Sequence, residues 1–86
     1  MWEVTLSVRA VRWLDRADRT TALRIPNTLR ALASLDNPRS RGKPLKGALV
    51  GLWRYRVGDY RVVCDIRDSE LVILAIKIDR HDDVCR

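Results

Sequence analysis

The spacing of apolar residues changes twice along this chain of 86 residues, and these changes restrict the folds available to it. Between Trp2 and Val8, apolar and polar residues alternate with the period of two that marks a half-buried strand. From Leu52 to Arg67 the period is again two, and Leu71–Ile78 is nearly all apolar, which predicts a strand covered on both faces. Between these regions the period is that of a helix, and one helix face carries Ala10, Trp13, Leu14 and Ala17. The pattern predicts one strand, then helices, then a group of strands.

A second helix follows the first, with a proline inside its apolar stripe. Asp18 or Thr20 supplies a side chain of the kind that caps a helix N-terminus. Because Pro26 has no backbone N–H, the helix is expected either to kink or to restart at this position. The stripe consists of Ala22, Ile25, Leu29, Leu32 and Leu35.

The second half of the chain combines a long loop with three strand patterns. Asp36–Gly51 is predicted to be the loop, and long loops in compact domains are often functional. Gly58-Asp59 fits a two-residue hairpin turn with glycine first. The strands are predicted at Leu52–Val57, Tyr60–Arg67 and Leu71–Ile78. Helices that precede a group of strands predict the α+β class, with one sheet that carries helices on one face. A chain of this length is assigned to a single domain, residues 1–86.

The net charge of +6 and the pI near 10.2 favour a nucleic-acid, phosphate or acidic-protein partner. A basic surface used only for solubility is the alternative. Cys64 and Cys85 have neither metal-site nor disulfide-framework spacing and are predicted to be reduced thiols. No apolar run has the length of a signal peptide or approaches the roughly 20 residues of a membrane span. We therefore expect a cytoplasmic protein that does not associate with membranes.

Three arginines lie in the most strand-like segment of the chain, "GLWRYRVGDYRVV", residues 51–63. Pleating puts Arg54 and Arg56 on one face, and hairpin pairing brings Arg61 to the same face. Like charges directly opposite each other destabilise a sheet. Either nearby carboxylates (Asp59, Asp65 or Asp68) neutralise the arginines on a solvated face, or the face binds phosphate through paired guanidinium hydrogen bonds. Such a surface would be extended by the loop residues Arg39, Arg41, Lys43 and Lys46.

Two segments and the upstream helices carry a resemblance to a known family; the segments are "RGKPLKGALVGLWRYRVGDYRVVCDI" and "VILAIKIDRHDDV". Over essentially its whole length, the chain resembles the RelE/ParE superfamily of bacterial toxins. These are the toxin halves of type II toxin–antitoxin pairs. The resemblance implies a small antiparallel sheet, with the N-terminal strand beside the later hairpin and two helices on one face. The implied order is β-α-α-β-β-β-tail.

The resemblance also implies partners and an activity. An acidic, RelB-like antitoxin would wrap and neutralise the toxin, and the toxin would reach operator DNA only through the antitoxin. Members similar to RelE cleave messenger RNA in the A site of the ribosome, where a 2′-hydroxyl attacks the adjacent phosphate. This chemistry uses neither a metal nor another cofactor.

Position by position, the resemblance assigns roles to the hairpin and the loop. Arg61 matches the family's phosphate-binding arginine. Arg54 matches a basic position that stabilises the transition state, and Arg56 would assist from the same face. Leu52 stands where well-studied members have a lysine. The loop residues expected to contact RNA backbone are Arg41, Lys43 and Lys46.

The C-terminal tail, "DRHDDVCR", departs from the family pattern. Active members commonly end in a basic pair followed by an acidic residue, a valine and a tyrosine. Arg80 and His81 are the candidates for the basic pair, and Cys85 stands where the tyrosine is expected. His81 would carry a proton at neutral pH or would simply be an exposed tail residue. The departures leave two alternatives to RNA cleavage: a ParE-like poison of DNA gyrase, and a degenerate toxin that persists as an antitoxin-binding corepressor.

Overall fold

Five strands and two α-helices are formed by residues 2–80, which are the residues that the computed structural model describes. The chain runs through β1 (Glu3–Leu6), α1 (Val8–Arg16), α2 (Arg19–Ala33), β2 (Lys43–Pro44), β3 (Trp53–Val57), β4 (Tyr60–Arg67) and β5 (Val72–Arg80). Short 3-10 turns at Pro38–Ser40 and Gly47–Leu49 flank β2. The α+β class and the helical period of the N-terminal half are confirmed. The predicted loop additionally contains β2, because its two residues pair with β3.

Both helices begin at side-chain caps that the sequence supplies. The Ser7 hydroxyl accepts a hydrogen bond from the Ala10 backbone N–H at 3.1 Å, so β1 ends and α1 begins within two residues. Asp18, rather than Thr20, caps α2 by accepting from the Thr21 backbone N–H at 3.1 Å. Hydrogen bonds from Thr21 lower the pKa of the Asp18 carboxyl. Pro26 does not restart the helix, since α2 continues through it to Ala33.

The sheet has the strand order β1-β5-β4-β3-β2. Pairing is antiparallel throughout β2 to β5, as expected, but β1 lies parallel to β5. The sheet that was expected to be antiparallel is therefore mixed, and the N-terminal strand lies beside β5 rather than beside the β3–β4 hairpin. The physical reason is that β5 is the most apolar strand, and pairing along both of its edges places it inside the sheet rather than at a solvated edge.

A register shift between β4 and β5 decides which side chains of β5 face the helices. Val63 pairs with Lys77, but the next residue, Cys64, pairs with Ala75, so Ile76 has no direct partner. An extra residue of this kind is a β-bulge, and it reverses the alternation beyond it. Lys77 and Asp79 consequently lie on the side of the sheet away from the helices. The buried core on the helix side contains Ala10, Leu14, Ile25, Leu29, Tyr55, Val57, Val62, Cys64, Ile66, Ile73, Ala75 and Ile78.

Neither helix between residues 2 and 80 combines the length and the apolar character that crossing a membrane would require.

Candidate functional site

The side of the sheet that the helices leave uncovered carries the three arginines of the hairpin. Gly58 has a φ of +60° at the first position of the turn, as the predicted hairpin requires. Arg56 pairs directly with Arg61, and Arg54 pairs with Val63. Residues that are directly opposite on antiparallel strands share a face, so the prediction that the three arginines share a face is confirmed. We call this side of the sheet the open face.

Two cross-strand rows of side chains form the centre of the open face. Strands lie about 4.8 Å apart and successive residues on one face about 7 Å apart, which sets the spacing within and between the rows. The first row is Lys43, Arg54, Val63 and Lys77, and the second is Arg56, Arg61 and Asp79. These two rows hold five cationic side chains and one carboxylate. Such a surface attracts a polyanion and holds cations at fixed positions.

Arg61 is the most deeply placed cation of the open face, with 8% of the residue exposed. Its Nε donates to Oδ1 of Asp79 at 3.2 Å, and its Nη2 donates to Oδ2 at 3.3 Å. A guanidinium carries five N–H donors, so this contact occupies one edge and leaves Nη1 and the second hydrogen of Nη2. The pair therefore holds the guanidinium in place while donors remain for a phosphate oxygen.

The partner of Arg61 is not one of the three carboxylates considered from the sequence. Asp68 instead pairs with Arg39 at 2.7 and 2.9 Å, and this contact lowers the pKa of Asp68. Asp65 pairs with Arg67 at 3.1 Å. Asp79 and Lys77 were both missed, because the bulge that turns them to the open face leaves no local pattern. The only sequence signal is the polar pair Lys77 and Asp79 at the end of an otherwise apolar strand.

The other hairpin arginines are more accessible than Arg61. Arg54 is half-buried and Arg56 is exposed. The Arg56 Nε donates to the backbone carbonyl of Gly58 at 3.3 Å. Among residues 2–80, neither Arg54 nor Arg56 forms an ion pair with a carboxylate. Their charges are thus available to an anionic ligand.

The loop before β3 is held against the sheet by two side chains of that strand. Tyr55 donates its buried hydroxyl to the carbonyl of Pro38 at 2.6 Å, and Trp53 donates Nε1 to the carbonyl of Arg41 at 2.7 Å. Burial of Tyr55 raises its pKa to about 12. Gly42 has a φ of +77° and lies so close to β3 that a Cβ would overlap a backbone oxygen. These contacts bring Lys43 into the first row.

The remaining candidate residues are not collected on the open face. Arg41 and Lys46 are exposed loop residues on either side of β2. Arg80 pairs with Tyr60, one residue beyond Asp79, so alternation turns it away from Arg61; its guanidinium lies 5.8 Å from the Tyr60 ring. His81 and Cys85 lie outside the described residues. Within residues 2–80, no three His, Cys, Asp or Glu side chains cluster closely enough to hold a metal ion.

Comparison with known proteins identifies a family. The family model for the ParE toxin of the type II toxin–antitoxin system parDE matches residues 4–84. No curated protein matches the chain.

Solved structures share the fold. The toxin–antitoxin complex RelBE2 from Mycobacterium tuberculosis contains a chain with a TM-score of 0.83 and 24% identity, covering 92% of this chain and 90% of that chain. A chain of the intact E. coli RelBE complex has a TM-score of 0.72 and 12% identity, with coverages of 93% and 96%. The YoeB/ParE toxin from Agrobacterium tumefaciens has a TM-score of 0.68 and 20% identity, with coverages of 92% and 98%.

Proposed function

The chain belongs to the RelE/ParE superfamily and is a toxin of a type II toxin–antitoxin system, and we propose that it inhibits translation by cleaving messenger RNA in the ribosomal A site. The observation that carries the proposal is the open face, where two rows contain five cations and one carboxylate. A cleavage that passes through an anionic phosphorane requires such fixed positive charge at the reacting phosphate.

The proposed chemistry divides the reaction between the open face and the tail. The 2′-hydroxyl of one nucleotide attacks the adjacent phosphate, and the 5′-oxygen of the next nucleotide leaves. Arg61 would bind the phosphate through the donors that Asp79 does not occupy, while Arg54 and Arg56 stabilise charge that develops on its oxygens. His81 is the candidate proton carrier, with Arg80 beside it in sequence and Cys85 in place of the family's tyrosine. No step in this scheme requires a metal or another cofactor.

We further propose an acidic RelB-like antitoxin as the cognate partner. Two of the similar structures are toxin–antitoxin complexes, and the net charge of +6 suits an acidic protein. Operator DNA would be contacted through the antitoxin. Because the proposed targets, the ribosome and messenger RNA, are in the cytoplasm, the proposed activity is cytoplasmic.

A second candidate function follows from the family model itself, which describes a ParE toxin. A gyrase poison needs no RNA-cleaving groups. It would therefore tolerate Leu52 in place of the family's lysine and Cys85 in place of its tyrosine. A degenerate toxin that acts as a corepressor would tolerate them equally.

The test is to add the purified chain to ribosomes programmed with a defined messenger and to map RNA ends with and without ribosomes. We expect ribosome-dependent cuts in the A-site codon. Arg61→Gln should slow cleavage by about 100-fold, the effect of removing one donor to a developing oxyanion. The matched control is Arg67→Gln, because Arg67 is exposed and contacts Asp65 and Glu70. Absence of cuts, with gyrase-dependent DNA breaks in a parallel assay, would establish the ParE-like function instead.

A further inference from the structure

A concave surface lies beside the open face, between α1 and the paired ends of β4 and β5. It is open to solvent and has a volume of about 1020 Å³. We call it the α1 cleft. The residues that matter for its chemistry are Arg9, Arg12, Arg16, Trp13, Tyr60 and Arg80. The functional assignments above use none of these except Arg80.

The α1 cleft has positive charge that the described part of the protein does not neutralise. Two carboxylates line it, but Asp18 caps α2 and Asp79 contacts Arg61. Each ion pair within residues 2–80 involves cations other than the four cleft arginines. An anionic ligand would supply the missing counter-charge.

The spacing of these arginines and the position of Arg9 cost helix stability in the absence of a ligand, although the helix dipole favours Arg16 in the last turn. Arg9, Arg12 and Arg16 are spaced by three and four residues, so neighbouring side chains on the helix surface repel each other. Arg9 also lies in the first turn, where the helix dipole disfavours a cation and where α1 has no acidic residue. Binding of an anion along this face would offset both effects.

The dimensions of the cleft suit several successive phosphates. Arg16 lies seven positions after Arg9, which corresponds to about 10.5 Å along the helix axis. At the ~3.4 Å axial spacing of one strand in a stacked duplex, this length takes at most about three phosphates, and a more extended single strand takes fewer. The size of the cleft likewise exceeds what one isolated phosphate would fill.

Within residues 2–80, the contact of Arg80 with the aromatic pair leaves its hydrogen-bond donors available. Trp13 and Tyr60 pack edge to face, with ring centroids 5.2 Å apart. The Arg80 guanidinium lies 5.8 Å from the Tyr60 ring, and a cation–π contact uses the ring's charge distribution rather than N–H donors. Arg80 can therefore lie at the ring and donate to a phosphate at once.

The α1 cleft and the open face are continuous, and this favours RNA over an acidic protein as the occupant. Asp79 lines the cleft and contacts Arg61, which belongs to the second row of the open face. An RNA single strand with one phosphate at Arg61 would pass the edge of the β-sheet at Asp79 and enter the α1 cleft. We propose that the α1 cleft is a second RNA subsite, which binds the single strand flanking the nucleotide on the open face. This inference rests on the proposed RNA-cleaving function.

The test measures binding without cleavage. The probe is a fluorescein-labelled, single-stranded 2′-O-methyl RNA of about nine nucleotides, which is longer than the roughly two or three nucleotides that would span Arg9 to Arg16. It lacks the attacking hydroxyl. Its affinity for the full chain is followed by fluorescence anisotropy over a salt series. The cleft variant is Arg12→Gln/Arg16→Gln. The control, Arg19→Gln/Arg30→Gln, removes the same charge from exposed positions on α2. Circular dichroism checks that both variants fold.

We expect the cleft variant to bind at least about tenfold more weakly at low salt, and its salt slope to fall by about 1.4, which is ~0.7 for each lost phosphate contact on a single strand. The control should retain the slope of the unchanged protein. Equal losses in the two variants, or no RNA binding by the unchanged protein, would overturn the subsite. So would a cleft variant that binds the RNA normally but loses affinity for a poly-glutamate peptide, because the cleft would then be a protein-docking surface. RNA binding that depends on the cleft, without cleavage on ribosomes, would support the subsite and refute the proposed function.

Discussion

Replacing Asp79 with alanine leaves a nearly buried guanidinium without its carboxylate. The Arg61 side chain is 9% exposed and that of Asp79 is 29% exposed. Breaking a fully buried pair by removing one partner costs about 3–5 kcal/mol, whereas an exposed pair contributes less than about 1 kcal/mol. The hydrogen bonds of 3.2 and 3.3 Å are longer than the ~2.7–2.9 Å typical of charge-assisted pairs, which lowers the expected loss. We expect Asp79→Ala to reduce the free energy of unfolding by about 2 kcal/mol.

Urea denaturation at neutral pH measures this loss, and the transition midpoint should fall while the slope with urea stays unchanged. The control is Asp65→Ala on the same face. Its partner Arg67 is 47% exposed and keeps Glu70 as a second carboxylate, so the expected loss is about 0.5 kcal/mol. A variant with apolar residues at both positions, Arg61→Met/Asp79→Leu, should be close to the unchanged protein in stability, since no guanidinium is left buried without a carboxylate and the only other ion pair lost is the 3.7 Å contact of Asp79 with the partly exposed Lys77.

Two results would refute this reasoning. Asp79→Ala within about 0.5 kcal/mol of the unchanged protein would mean that solvent already screens Arg61. If the loss in Arg61→Met/Asp79→Leu equalled the sum of the losses in Arg61→Met alone and Asp79→Leu alone, the two residues would not interact.

Three further predictions concern the core and the loop. Gly42→Ala should lower the free energy of unfolding, measured in urea, by at least about 2 kcal/mol, because the new Cβ combines a positive φ with overlap onto β3. The control Gly47→Ala, where φ is also positive but the surrounding space is open, should cost only about 1 kcal/mol. Equal losses in the two variants would contradict the overlap. Tyr55→Phe leaves the Pro38 carbonyl without its donor and should cost about 1–2 kcal/mol; a neutral result would mean that water replaces the hydroxyl. Burial raises the pKa of the Cys64 thiol to about 12, from 9.0, so the folded state retains a proton that the unfolded state loses. Stability should therefore be complete below pH 9 and fall between pH 9 and 12, and Cys64→Ala should flatten part of this decline; an unchanged pH profile would contradict the effect of burial.

The fold followed from the sequence wherever neighbouring residues control the conformation. Ser7 and Asp18 cap the helices by bonding to backbone three residues ahead, and Gly58 permits the turn that defines the hairpin. Alternation within β3 and β4 then placed Arg54, Arg56 and Arg61 on one face. The segment Gly51–Val63, supported by the order of elements along the chain, carried the resemblance to the RelE/ParE superfamily, and the family match bears it out.

The tertiary structure alone decided which residues meet across the sheet. The bulge in β5 turns Lys77 and Asp79 to the open face, and pairing with β2 brings Lys43 beside Arg54. The partner of β1 was likewise decided by the tertiary structure, because β1 pairs in parallel with the free edge of β5. Along the chain, Val72 lies sixty-nine residues after its partner Glu3. Local patterns record contacts within a few residues, whereas a shift of one residue between distant strands reverses every face beyond it. The resemblance to the RelE/ParE superfamily identified Arg61 as the phosphate-binding candidate, whereas only the assembled sheet supplied the Asp79 carboxylate that holds it.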